Sequence, residues 1–370
     1  MPTSWRVLSI TPSFAAAREL MRIVVVNTQA PFVSGGAEEH ARRLLEELRA
    51  KGHQTEAVTI PFNWSSPDAI VEHAVAAANI DLSGFFGERI DLMIGLRFPA
   101  YLMRHPNKAI WLIHQYREAY DLWDAGRSGL RNDPAGNLVR QIITDMDTKA
   151  MSGAVRLYAN SQNVANRLGK YNTLEAPPLY HPPPLASELR PGETGDYLYF
   201  PSRISSLKRQ GLVLEALSHT KSQVRVVFSG SPDSARDAEM LRGRIAAFNL
   251  EKKAIWRGHV PVGEMLDLYA NSLGVVFPPF DEDLGYVTLE AMLAEKPVVT
   301  TTDSGGPLEF IADGKQGLVV KPDPRALAGA FDRLFLDRHL ARNLGKMARD
   351  RYDDLSISWD SVVEKLTGAV

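Results

Sequence analysis

Two series of alternating strand and helix signals, separated by a cluster of prolines, constrain this fold more than any other feature. Short apolar runs such as Met21-Arg22-Ile23-Val24-Val25-Val26 alternate with longer stretches whose apolar residues recur at helical spacing. In the first series the pattern predicts strands at 23–27, 54–60, 91–95, 108–114 and 157–159. Helices are expected at 37–51, 67–78, 137–153 and 162–171. Then come Pro177, Pro178, Pro182, Pro183 and Pro184, with Pro191-Gly192 and Gly195 soon after. Proline removes donors and holds the backbone extended, so this stretch reads as a linker. In the second series strands are expected at 197–201, 224–229, 254–256, 274–277, 297–300 and 317–319. Its helices are expected at 210–218, 233–248, 262–270, 286–293 and 324–332, with more helix after His339 and a last one at 356–366. Strict alternation argues for an α/β chain of two Rossmann-like, doubly wound domains, 1–190 and 191–370, facing a cleft. The 370 residues suffice for both. A ligand then belongs at the carboxyl ends of the strands.

Composition narrows the partners. A formal net charge of -2 gives no bulk electrostatic case for nucleic acid. Cysteine is absent, which removes disulfides and cysteine-based metal or redox sites and suits a reducing, cytoplasmic compartment. No apolar run approaches the roughly 20 residues needed to span a bilayer. Residues 1–20 lack the basic start and apolar core of a signal peptide, and Met21 is a candidate natural start, leaving 1–20 as a leader.

The chemistry concentrates in Phe280-Asp281-Glu282-Asp283-Leu284-Gly285-Tyr286-Val287-Thr288-Leu289-Glu290-Ala291-Met292. It follows the apolar run Leu273–Phe277, and Pro278-Pro279 stops that strand. The first amides of the helix expected at Tyr286 lack intrahelical acceptors and carry the positive end of the dipole, so they attract phosphate. Glu282 and Glu290 bracket that anion site. A carboxylate there suits hydroxyls, such as those of a ribose or a sugar ring, better than phosphate. Phosphate on amides with hydroxyls on flanking carboxylates describes a nucleotide-sugar site. The triplet Asp281-Glu282-Asp283 is formally a D-x-D metal signature, but it overlaps this loop and reads as coincidental.

Glu282 and Glu290, seven residues apart with Gly285 between them and Ala-Met after, resemble the E-x7-E motif of the family 4 retaining glycosyltransferases, which have the GT-B fold. Other stretches agree. Gly35-Gly36-Ala37-Glu38 at the start of the first helix is similar to the family's G-G-A-E turn and is not the G-x-G-x-x-G of dinucleotide enzymes. By the resemblance, Gly35 and Gly36 lie near the donor phosphate and sugar. Arg203 and Lys208 resemble its R-x4-K pair, which neutralises the diphosphate leaving group, and Arg209 beside them could share that role. His114, closing the strand Ile110–Ile113, matches a histidine that contacts the donor sugar. Thr302–Glu309 is similar to the family's S-G-G-x-x-E loop, expected here as a shape element of the donor site.

The resemblance implies transfer of a hexose from a nucleoside diphosphate sugar to a glycan or lipid-linked acceptor, with retention of configuration and no divalent metal or other cofactor. Arg203, Lys208, Glu282 and His114 would carry catalysis. Gly35, Gly36, Arg209, Asp283, Leu284, Gly285, Tyr286 and Glu290 would hold the donor, Glu290 at the ribose. It also implies that the last helix crosses back to the first domain and that the acceptor binds mainly there. The stretch Arg97, Phe98, Tyr101, Arg104 and Lys108 reads either as a peripheral contact for an anionic membrane or acidic acceptor, or as ordinary solvated surface with a few core anchors. Where the family often has Gly-Phe, this chain has Asp283-Leu284, which leaves the donor sugar open. The rival readings are a nucleotide-sugar epimerase or sugar phosphorylase on the same fold, and a noncatalytic partner protein.

Overall fold

The computed structural model describes residues 20–29 and 35–368. The expected leader, apart from Leu20, and residues 30–34 of the first turn lie outside the described residues. The first domain runs β1 (Arg22–Gln29), α1 (Gly36–Ala50), β2 (Gln54–Pro61), α2 (Pro67–Asn79), β3 (Leu92–Arg97), β4 (Lys108–His114), α3 (Gly136–Ser152), β5 (Arg156–Ala159) and α4 (Gln162–Asn172). Its strands form one parallel sheet in the order β2-β1-β3-β4-β5. The second domain runs β6 (Tyr197–Pro201), α5 (Gln210–His219), β7 (Arg225–Ser229), α6 (Ala235–Ala247), β8 (Ala254–Trp256), α7 (Val262–Ala270) and β9 (Gly274–Val276). It continues through α8 (Tyr286–Leu293), β10 (Val298–Thr301), β11 (Gly317–Val320), α9 (Pro324–Leu336) and α10 (Arg338–Asp354) to α11 (Trp359–Thr367). Here the order is β8-β7-β6-β9-β10-β11, again all parallel.

Strands covered by helices on both faces must be apolar throughout. Ile23–Val26 and Leu198–Phe200 are accordingly buried without a break. Helices bury one stripe each: α1 turns His40, Ala41, Leu44 and Leu48 inward, spaced by one helical turn. In both sheets the chain leaves the first strand in one direction and later returns to its other side. The two reversals lie between β1 and β3 and between β6 and β9, where open α/β sheets leave a crevice.

The α11 helix returns to the first domain. Val362, Val363 and Leu366 are buried in that domain's core beside Leu44, Leu48 and Trp111. Arg156 donates to the Thr367 carbonyl at 3.2 Å. This helix starts at Trp359 rather than 356, because Ser358 accepts from the Ser361 amide and fixes the cap there.

The proline-rich stretch is less free than a linker. Leu179 donates its amide to Ala159 and accepts from the Trp111 indole at 3.1 Å, while His181 is buried. Gly195 at the far end is held by the Asn271 carbonyl of the second domain. The crossing therefore narrows to the residues between those anchors.

The stretch 97–108 is not a solvated surface. Phe98, Tyr101 and Lys108 are buried. Lys108 follows from local geometry: its ammonium donates to the Tyr101 and Met103 carbonyls at 3.1 and 3.0 Å, and burial lowers its pKa to about 8. Arg97 is tied to Glu38 at 2.7 Å, so of the five residues only Arg104 stands exposed. The surface suggested for a membrane or acidic acceptor is absent from this stretch.

Candidate functional site

The carboxyl ends of β1, β3 and β4 meet those of β6 and β9 around a cleft of about 340 Å³. One wall is built by the loop after β9. Phe277 ends the strand, and Pro278 and Pro279 carry the chain out of the sheet. Gly285 then caps α8 at φ 80°, a left-handed backbone that favours glycine. A Cβ there would lie 2.9 Å from the Phe277 ring and 3.3 Å from Glu282 Cγ. No side chain caps α8, so its first amides are left for a ligand, with the positive end of the dipole. Asp283, Leu284, Gly285 and Tyr286 all line the cleft. Gly35 and Gly36 line the opposite wall, and a Cβ on Gly36 would come within 3.3 Å of the Tyr286 ring. The two helix starts thus face each other.

The loop after β6 supplies the cations. Ser202 is hydrogen bonded to the Ser229 carbonyl, and Gly230 at φ 129° passes so close that a Cβ would collide with the Ser202 carbonyl at 2.2 Å. This contact presents Arg203 and Lys208 to the cleft. Lys208 donates to Glu282 at 2.5 Å, both half-buried. Arg203 is exposed and donates to Asp233 at 2.7 Å. Arg209 does not line the cleft. Its own backbone is left-handed, at φ 61°, and its guanidinium forms a fork with Asp303 at 2.8 and 2.7 Å. The side chain is thereby committed to the loop after β10 rather than to a shared diphosphate site with Lys208.

His114 ends β4 and lines the cleft. Its Nδ1 is bonded to the Gln115 carbonyl at 2.7 Å, which fixes the proton there and leaves Nε2 as an acceptor. Burial lowers its pKa despite the Asp283 charge nearby, so the ring is neutral. Glu290 lies one turn inside α8, behind the lining. It accepts from the Tyr269 hydroxyl at 2.5 Å, and burial raises its pKa even with that bond.

Several residues at the site carry no local sequence signal. Arg167 of α4, almost wholly buried, donates to Asp283 at 2.7 Å and lies 3.4 Å from Asp121. Arg117 donates to Asp121 at 2.6 Å and to the Asp281 carbonyl at 2.8 Å. Burial alone would raise Asp283, but the Arg117 and Arg167 charges outweigh it and hold the carboxyl well below the usual range. Asn163 donates to Asp281 at 2.7 Å and to the Glu282 carbonyl at 2.9 Å. Every carboxylate of the Asp281-Glu282-Asp283 triplet therefore has a cationic or amide partner. Among the described residues no group of three or more His, Cys, Asp or Glu is placed to hold a metal ion.

Glu309, at the end of the Thr302–Glu309 loop, also crosses the domains. Its carboxylate receives the Gln162 and Asn163 amides at 2.9 and 2.8 Å, at the start of α4, and the Tyr180 hydroxyl at 2.7 Å. The loop thus clamps the first domain as well as shaping the second. His40, on the cleft wall, is fully buried with its Nε2 unpartnered, and burial lowers its pKa to about 3. His181 packs 4.3 Å from it and bonds Tyr286 Oη at 2.6 Å.

Comparison with known proteins agrees with this architecture. Residues 185–351 match the model of the family described as glycosyl transferases group 1. The chain is 27% identical over 253 residues to a D-inositol 3-phosphate glycosyltransferase of Acidothermus cellulolyticus, covering 62% of this chain and 55% of that protein. It is 27% identical over 139 residues to the alpha-1,3/1,6-mannosyltransferase ALG2 of Dictyostelium discoideum, covering 36% of this chain and 33% of that one. The matched parts thus span about half and about a third of those relatives. Sucrose-phosphate synthase from Thermosynechococcus elongatus superposes with a TM-score of 0.72 at 16% identity, over 94% of this chain and 98% of that one. Anabaena HepE in complex with UDP and glucose superposes with a TM-score of 0.65 at 17% identity, over 94% and 100%. The fold is GT-B, and within its second half residues 185–351 are similar to the glycosyl transferases group 1 family.

Proposed function

We propose that this chain is a metal-independent glycosyltransferase that moves a hexose from a nucleoside diphosphate sugar to a hydroxyl of a glycan or lipid-linked acceptor, with retention at C1. The observation that carries this reading is the convergence of Arg203, Lys208 and the uncapped amides of α8 on one cleft wall, between β6 and β9. In the reaction the bond from C1 to the diphosphate oxygen breaks and the acceptor oxygen bonds to C1. The acceptor proton passes to the departing phosphate. Negative charge grows on the diphosphate, where preorganised cations and amides stabilise it most. Lys208 already has a carboxylate partner in Glu282, so an arriving phosphate exchanges one anion for another without stripping a solvated ammonium. Glu282 then sits free to orient sugar hydroxyls, and neutral His114 offers Nε2 as an acceptor to another. Glu290 is assigned to the ribose, which it reaches by exchanging the Tyr269 hydroxyl behind the lining for a ribose hydroxyl.

The test is calorimetry of UDP, GDP, ADP, TDP and NAD with a chelator present. UDP comes first because the Anabaena neighbour was solved with it. One nucleoside diphosphate should bind, and Lys208→Ala should weaken it about tenfold or more, as losing a charge-assisted bond of about 1.5–3 kcal/mol requires. Glu290→Ala should weaken the nucleotide but not free diphosphate. Binding of NAD alone, or an unchanged affinity in Lys208→Ala, would reject the proposal.

A further inference from the structure

The carboxyl edge of the first sheet holds a second concavity, of about 300 Å³, lined by Pro61, Phe62, Asn63, Trp64 and His73. Trp64 is 52% exposed, unusual for so large an apolar ring. It packs on Phe62, ring centroids 5.8 Å apart, and Phe62 packs in turn on Phe98 and Tyr116 at 5.5 and 5.7 Å. Phe98 follows Arg97, and Tyr116 lies two residues after His114; it is Arg97 and His114 that line the cleft. A packed aromatic ridge, with Phe62 and Phe98 buried, therefore runs beneath the surface from beside Arg97 and His114 out to Trp64.

We propose that this ridge ends in a subsite for a neutral sugar ring of the acceptor. The polar groups beside the indole decide the class of ligand. His73 donates Nδ1–H to the Pro61 carbonyl at 2.9 Å, because a carbonyl can only accept, so Nε2 is an acceptor without a partner among the described residues. Asn63 Oδ1 accepts from the Ser65 amide at 2.9 Å, so its Nδ2 remains a donor. A sugar hydroxyl both donates and accepts, and the apolar face of a pyranose fits an exposed indole. A lipid surface fits poorly. The ridge ends in a single exposed indole, and the surrounding chain carries Asp68 and Glu72 rather than the lysines and arginines that attract anionic headgroups.

This subsite rests on the glycosyltransferase reading, and the experiment separates the two. Saturation-transfer NMR on the full chain would use maltose, cellobiose and mannobiose as probes, with calorimetry of UDP and cosedimentation with phosphatidylcholine–phosphatidylglycerol vesicles alongside. In the wild-type chain at least one disaccharide should receive saturation at its ring C–H protons. Trp64→Ala should weaken its binding about tenfold, the scale of an aromatic anchor, and Trp64→Phe should restore most of it. UDP affinity should be the same in all three. Equal saturation in Trp64→Ala, or no disaccharide signal in a chain that binds UDP, overturns the subsite. Vesicle binding lost with Trp64 overturns it in favour of a lipid contact. Saturation lost with Trp64 in a chain that binds no nucleoside diphosphate upholds the sugar subsite and sinks the donor assignment.

Discussion

Glu309→Ala tests how much one carboxylate, among several ties between the two domains, contributes to holding them together. The side chain receives two backbone amides at the start of α4 and the Tyr180 hydroxyl, all from the first domain. The Gln162 end is exposed, so water can replace that bond. The Asn163 amide and the Tyr180 hydroxyl are part-buried, and each donor left unsatisfied costs about 1–3 kcal/mol. Glu309→Ala should therefore cost about 3 kcal/mol. At about 2.1 cal/mol/K of unfolding entropy per residue, this lowers Tm by about 4 °C. Burial holds the Glu309 carboxyl above its ordinary range, so the charge itself is a burden to the fold. Glu309→Gln keeps an acceptor and sheds that charge, and should cost only about 1 kcal/mol. The assay is differential scanning calorimetry with small-angle scattering. A compact chain of this length has a radius of gyration of about 21 Å, and Glu309→Ala should exceed its parent measurably. If Glu309→Ala leaves both Tm and scattering curve unchanged, the carboxylate does not clamp the domains. If Glu309→Gln is as damaging as Glu309→Ala, charge rather than the bonding geometry is what matters.

Three other perturbations follow from the same coordinates. Gly285→Ala must accommodate a Cβ at φ 80° and 2.9 Å from the Phe277 ring, which displaces the start of α8; calorimetry should show nucleoside diphosphate affinity falling about tenfold, on the scale of about 1–3 kcal/mol for overpacking. Gly345→Ala would place a methyl 2.1 Å from the Glu295 carbonyl, far from the cleft, so urea melts should lose about 1–3 kcal/mol while nucleotide affinity per folded molecule is unchanged. Asp147 is buried between the hydroxyls of Tyr101 and Tyr120, and burial pushes its pKa up to about 7 although both hydroxyls donate to it. The folded chain then binds this proton more tightly than the unfolded one, whose aspartates titrate near about 3.9. Its contribution is therefore complete below about pH 4 and is lost as pH rises to about 7. Urea melts of Asp147→Asn should show that slope removed, and an unchanged slope would refute the assignment.

How far the sequence could be read depends on whether a feature is local. A strand stop, a left-handed glycine and a helix start within 277–286 are dictated by neighbouring residues, so the loop that presents Asp283, Leu284, Gly285 and Tyr286 was visible as a pattern. The alternation of apolar runs likewise carried both sheets, because a parallel strand covered on two faces must be apolar whatever surrounds it. The clamp was invisible for the opposite reason. Arg117 reaches Asp281 across 164 positions, and Gln162 reaches Glu309 across 147, so neither pair leaves a spacing in the chain. Arg209 shows the limit within a motif. It follows Lys208 directly, and residue type alone gives both the same affinity for phosphate. One left-handed residue turns its guanidinium to Asp303 and leaves Lys208 in the cleft. The stretch 97–108 fails in the same way, since nothing in Lys108 as a letter announces that two carbonyls five and seven residues earlier lie within reach. Trp64 inverts the case. An aromatic after a strand reads as an ordinary core anchor, and only the open space beside it, which His73 and Asn63 also line, separates a binding surface from a packed one. Local constraint gives this chain the loop that leads into the uncapped start of α8, and side-chain pairing across the domains determines which of the residues near that loop remain available to a ligand.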